Sequence, residues 1–135
     1  MNIIMHSLQS FFDKKQITYQ LADSDTMVLS QYLEKANTRL NIVLYAASDN
    51  DNCIQIKIYN LCKANYTTEA VLRKINELNL RYRWYCLALE DEDIVLSTDA
   101  IVTPNNVGDI CLELVLRGLN ISEEIYPEIM RAIWG

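Results

Sequence analysis

The chain has 135 residues and a mass of 15.6 kDa, 50% of it apolar and 22% charged, a composition that fits one globular domain spanning 1–135 and leaves too few residues for two separate cores. With 12 Lys and Arg against 18 Asp and Glu, the formal net charge is -6 and the pI near 4.7, which repels polyanions. Basic residues come at most in pairs such as Lys14-Lys15, so no nucleic-acid partner is expected, and no apolar run reaches the roughly 18 residues of a membrane span, so no membrane partner either.

Taken in chain order, Asn2 to Lys15 places Ile4, Leu8, Phe11 and Phe12 at helical spacing, which predicts an N-terminal helix. From Ile17 the period falls to two: Ile17, Tyr19 and Leu21 alternate with polar residues, and Thr26 to Leu33 follows Asp23-Ser24-Asp25, as in a hairpin. Leu40 to Ala47 is apolar at nearly every position and reads as an internal strand covered on both faces. Asp49-Asn50-Asp51-Asn52 predicts a turn, and Cys53 to Tyr59 alternates Ile54, Ile56 and Ile58 against Gln55 and Lys57, which gives a strand with one dry face.

Thr67-Thr68-Glu69 supplies an N-cap for a helix to Tyr82 carrying Val71, Leu72, Ile75, Leu78, Asn79 and Tyr82 along one side. Strands over Trp84 to Leu89 and Ile94 to Thr98 follow, joined by Glu90-Asp91-Glu92-Asp93, whose mutual repulsion predicts an exposed turn. Pro104 fits a helix start and Gly118 a helix stop, so the remainder reads as one or two helices: one with the stripe Val107, Ile110, Cys111, Leu114 and Val115, and a second, Ser122 to Trp134, with Pro127 either in its first turns or at its true start. Strands that cluster without intervening helices imply an α+β fold: a single antiparallel meander sheet with helices packed on one side.

Reactive groups are sparse. His6 is the single histidine, and no base stands beside Cys53, Cys62, Cys86 or Cys111, which read as small core hydrophobes in a reducing compartment. With no CxxC pair and no histidine cluster, no structural zinc is expected. Asp49-Asn50-Asp51 opens like a calcium loop, but Ile54 stands where the loop needs glycine and Asn60 where it needs a bidentate Glu. Gly108 and Gly118 are too far apart to build a phosphate loop. Asn76 and Asn79, one turn apart, are expected to bond strand backbone. No cofactor, metal or catalytic residue is expected.

The stretch from Thr67 to Gly135 resembles the YbjN-type family of bacterial sensory transduction regulators, whose fold looks like that of class I type III secretion chaperones. The residues that carry the resemblance are Ile75-Asn76-Glu77-Leu78-Asn79, Arg83-Trp84-Tyr85, the acidic turn before Ile94-Val95-Leu96, and Tyr126-Pro127-Glu128-Ile129. The resemblance implies a homodimer that acts in binding or regulation, with the 67–82 helix and the 84–89 strand contributing to the dimer interface. Leu72, Asn79, Tyr82, Trp84 and Tyr85 are the candidate partner- or dimer-interface residues. The expected function is a non-catalytic, cytoplasmic interaction module that binds a partner's peptide segment. The alternative is a small-ligand sensor or enzyme with a pocket at the helix-to-strand junction, lined by Trp84, Tyr85 and Asn79.

Overall fold

The computed structural model describes residues 2–47, 52–64 and 69–134. Helix α1 spans Ile3–Lys15. It starts where Asn2 accepts the Met5 N–H at 3.0 Å and donates its own amide to the Ala46 carbonyl at 2.8 Å, so one side chain both caps the helix and ties it to the sheet. It ends where Gln16 turns left-handed (φ 60) and the Gln16 and Ile17 N–H groups return to the Asp13 and Phe12 carbonyls. That stop uses residues 16 and 17, which explains why strand β1 covers Gln20–Asp23 rather than beginning at Ile17.

Strands β2 (Thr26–Leu33), β3 (Thr38–Tyr45) and β4 (Cys53–Tyr59) continue the meander. Helix α2 (Glu69–Arg81), strands β5 (Cys86–Glu90) and β6 (Asp93–Ile101), and helix α3 (Val107–Trp134) complete an α+β domain. All six strands form one antiparallel sheet in the order β1-β2-β3-β4-β6-β5. The final hairpin therefore joins through its second strand, and β1 and β5 are the edges.

Period-two alternation decides which face is dry. Met27, Leu29, Leu40, Ile42, Leu44, Ile54, Ile56, Ile58, Leu87, Ile94 and Leu96 are buried in one cluster with α1 (Ile4, Met5, Leu8, Phe12), α2 (Val71, Leu78) and α3 (Val107, Cys111, Leu114, Ile121, Ile125). On the other face the strands' own side chains bond one another: Lys57 donates to Glu90 at 3.1 Å and Tyr59 to the same carboxylate at 3.4 Å. This corrects the reading of β3 as covered on both faces. Asn41 and Tyr45 are exposed and Val43 is half-buried, because among the described residues no helix lies on that side.

Of one or two C-terminal helices, the structure has one: α3 runs unbroken for 28 residues through Gly118 and Pro127, which overturns the stop at Gly118 and the separate helix from Ser122. Gly118 is a contact point and not a stop. A Cβ there would lie 2.5 Å from Ile58 Cδ1 and 2.8 Å from Tyr85 Cζ and Oη, so only a bare backbone lets the helix approach the sheet. Gly108 plays the same part against α1, its Cβ position being 2.2 Å from Phe11 Cγ. Ser122, buried, donates to the Gly118 carbonyl at 2.8 Å.

Two smaller corrections concern single residues. Cys111 is buried, but Cys86 is exposed and Cys53 and Cys62 are half-buried; in β5 the inward positions go to Leu87 and Leu89, which puts Cys86 on the open face. The β5–β6 turn is exposed at Asp91 and Glu92, both with positive φ, whereas Asp93 is half-buried, with one carboxylate oxygen lacking a partner and its pKa raised by that burial. The expected turn at Asp49-Asn50-Asp51 and the Thr67-Thr68 cap lie outside the described residues.

α2 is tied to the second half of α3 by charge. Arg81 donates to both carboxylate oxygens of Glu128 (2.6 and 3.0 Å) and to Glu77 (2.8 Å), and Lys74 lies 3.0 Å from Glu77 and 3.5 Å from Glu128. Hydrogen bonding from Arg81 holds the Glu128 pKa below the ordinary carboxylate value. A depressed folded-state pKa contributes stability above the unfolded-state value and loses it as pH falls through the folded one. Glu128→Gln is therefore expected to cost at most about 1 kcal/mol near neutrality and to weaken the acid dependence below about pH 4.5, as read from urea unfolding at stepped pH. An unaltered pH profile in the variant would show that the bridge contributes nothing.

Candidate interaction site

The feature most open to a partner follows from two strands of unequal length. The β4–β6 ladder runs to the pair Cys53–Ile101, but the β5–β6 ladder stops at Cys86–Ser97. Among the described residues, Thr98 to Ile101 thus overhang with a neighbour on one side only. β5 stops there because the residue before it, Tyr85, turns into the core, where it is 1% exposed and donates to the Leu114 carbonyl of α3 at 2.7 Å.

The direction of the overhang's backbone groups follows from the ladder. In an antiparallel strand, alternate residues send both N–H and C=O to the same side. Ile94 N–H donates to the Cys62 carbonyl and Val102 N–H to the Asn52 carbonyl, so the even-numbered residues of this segment face β4. Asp99 and Ile101 therefore face the vacant side. The β5 edge itself is closed at its centre: Asn79 of α2 accepts the Leu87 N–H at 2.7 Å and donates to the Leu87 carbonyl at 3.0 Å, standing in for a neighbouring strand.

Beneath the overhang is a cleft of about 280 Å³ between the sheet and α3, lined by Trp84, Thr98, Ala100, Ile110, Leu114 and Arg117 among others. The Arg117 guanidinium lies 4.5 Å from the centre of the Trp84 ring and also bonds Glu113 at 2.7 Å, so one wall is a cation stacked on an aromatic face. Of the large exposed apolar groups nearby, Trp84 (50% exposed) stands in the cleft wall, Leu116 (53%) lies on the adjoining face of α3, and Ile101 (87%) points to the open face of the sheet.

The five candidate residues do not converge. Trp84 lines the cleft. Leu72 lies half-exposed on α2, two turns from Leu80, which is 82% exposed. Asn79 is engaged at the β5 edge, Tyr82 donates to Glu124 of α3 at 2.8 Å, and Tyr85 is core. The pocket imagined from Trp84, Tyr85 and Asn79 is therefore not the one the chain builds. Sequence reasoning ended the last strand at Thr98, three residues early, and so missed Ala100 and Ile101. Asn76, read together with Asn79, is exposed.

Other groups stand apart from the cleft. His6 is exposed on α1 in a depression with Ser7, Ser10 and Lys14. The Cys62 and Cys111 thiols are each pushed up to about 12, chiefly by burial, so both are protonated and poorly nucleophilic near neutrality. Among the described residues, no group of three His, Cys, Asp or Glu side chains could hold a metal, and no helix is long and apolar enough to cross a membrane.

Replacing Asn79 by Ala leaves the Leu87 N–H and carbonyl to water. The expected loss is about 1 to 2 kcal/mol of unfolding free energy with an unchanged denaturant slope, accompanied by faster exchange of the Leu87 amide. Wild-type exchange at Leu87 in the variant would show that the side chain does not close this edge.

In comparison with known proteins, no family model matches the chain and no curated protein matches it.

Proposed function

We propose that the chain is a non-catalytic interaction module, a cytoplasmic homodimer that binds a peptide segment of a partner in the manner of the YbjN-type regulators and type III secretion chaperones it resembles. The observation that carries this reading is the half-open strand edge above a cleft lined by Ile110, Leu114 and the half-exposed Trp84. Soluble domains seldom leave such apolar groups gathered and bare without a partner for them. For the dimer, support comes from Leu72 and Leu80, two turns apart and exposed on α2, the helix the resemblance assigns to the interface.

A phage-displayed random peptide library panned on the pure protein tests the binding role, with enrichment of a shared motif expected. Failure of any sequence to enrich on folded protein overturns it. Light scattering tests the dimer separately: wild type is expected at twice the chain mass, and Leu72→Glu combined with Leu80→Glu at the chain mass. A wild-type chain that stays monomeric up to about 100 μM contradicts the dimer.

A further inference from the structure

We infer that the β6 overhang is a strand-addition site, which takes an extended partner segment into the place β5 leaves empty and seats one large apolar side chain of that segment in the cleft beneath. The inference rests on the interaction reading above and says where and how the partner binds. Three independent observations meet at this point.

The first is backbone valence. Asp99 and Ile101 direct their N–H and C=O groups outward, and among the described residues no backbone hydrogen bond reaches them from that side. An added strand would exchange up to four hydrogen bonds with them, the mode by which extended peptides extend a sheet. The second is the shape below. Thr98 and Ala100 point to the helix side, opposite Ile56 and Ile54 in the ladder, and they form the roof of the cleft over Ile110 and Leu114. Because side chains alternate along a strand, a residue of the added strand that points inward must enter this space. The third is charge. Asp99 and Glu113 line the cleft and Asp109 lies beside Glu113 on the adjoining face of α3, while Arg117 is already paired with Glu113. With a whole-chain charge of -6, the surroundings favour a segment whose apolar anchor is flanked by Lys or Arg.

The vacancy also allows an unusually clean variant. Proline removes an N–H, and at Ile101 that N–H faces the open side, so Ile101→Pro leaves the bonds to β4 in place, as an edge position permits. Ala100→Leu, by contrast, fills the cleft and leaves the edge intact. Binding of the library-selected peptides is measured by fluorescence anisotropy to wild type and both variants, with unfolding midpoints confirming that each variant is folded. The expected result is a basic and apolar motif whose Kd rises about tenfold or more in each variant. Peptides that bind both folded variants as tightly as wild type would overturn strand addition while leaving the interaction module standing. If Ile101→Pro instead turns a dimeric chain into a monomer, the edge belongs to a second copy and the proposal fails. If no peptide enriches at all, the interaction reading itself falls first.

Discussion

Gly118→Leu is expected to lower the unfolding free energy by about 3 kcal/mol, at the upper end of what overpacking costs, and to shift the urea midpoint without changing the slope. The position already holds its nearest neighbours at contact distance, with Ile58 Cδ1 and the Tyr85 ring within 2.8 Å of where a Cβ would stand. Ile58 can yield by rotating its terminal methyl, but Tyr85 is held by its hydrogen bond to the Leu114 carbonyl. A leucine therefore lifts α3 off the sheet. Gly118→Ala separates sterics from helix propensity: its Cβ alone meets Ile58 and Tyr85, and the gain of about 1 kcal/mol for alanine over glycine in a helix offsets that clash only in part, so a smaller loss of about 1 kcal/mol is expected. A leucine variant as stable as wild type would mean that α3 does not approach the sheet as described.

Tyr85→Ala carries the second large expected effect, a loss of about 3 to 5 kcal/mol, because it deletes the largest fully buried side chain and leaves a cavity between sheet and helix. Tyr85→Phe separates ring from hydroxyl: it keeps the packing and forfeits one hydrogen bond, at a cost of about 1 kcal/mol. Since Gly118 and Tyr85 touch, their substitutions should not add. In a Tyr85→Leu background, Gly118→Ala is expected to become neutral or stabilising, as the clash is relieved and the propensity gain remains. Strict additivity in that double-mutant cycle would contradict the contact.

Much of this architecture was legible from residue pattern, and what was not has identifiable causes. The alternation of Ile54, Ile56 and Ile58 specified both β4 and its dry face, and the boundaries of β2 and β4 follow the sequence reading. α3 was misread because glycine at a helix end and glycine at a helix-to-sheet contact look alike locally; the distinction is tertiary. A signal was nonetheless present. The buried stripe of Val107, Cys111, Leu114, Gly118, Ile121, Ile125 and Ile129 keeps helical spacing through the supposed break.

The candidate site was less legible. Trp84 was singled out for its aromatic bulk and does line the cleft, yet the open edge arises from a mismatch in strand length that no single segment encodes. It requires knowing that β6, and not β5, lies beside β4 and that Tyr85 leaves the sheet plane. Asn79 does bond strand backbone, that of Leu87, as its pairing with Asn76 on one helix face suggests, whereas Tyr82, a candidate interface residue, donates to Glu124 of the same chain.

Amide hydrogen exchange along Thr98 to Ile101 in the dilute, peptide-free protein tests the half-open edge most directly, because it reads the orientation of each backbone group. Asp99 and Ile101 should exchange at nearly unprotected rates, while Thr98 and Ala100, bonded to β4, are slowed by orders of magnitude. Equal protection of all four amides would mean that the edge is already filled, and with it would go the docking site proposed for a partner.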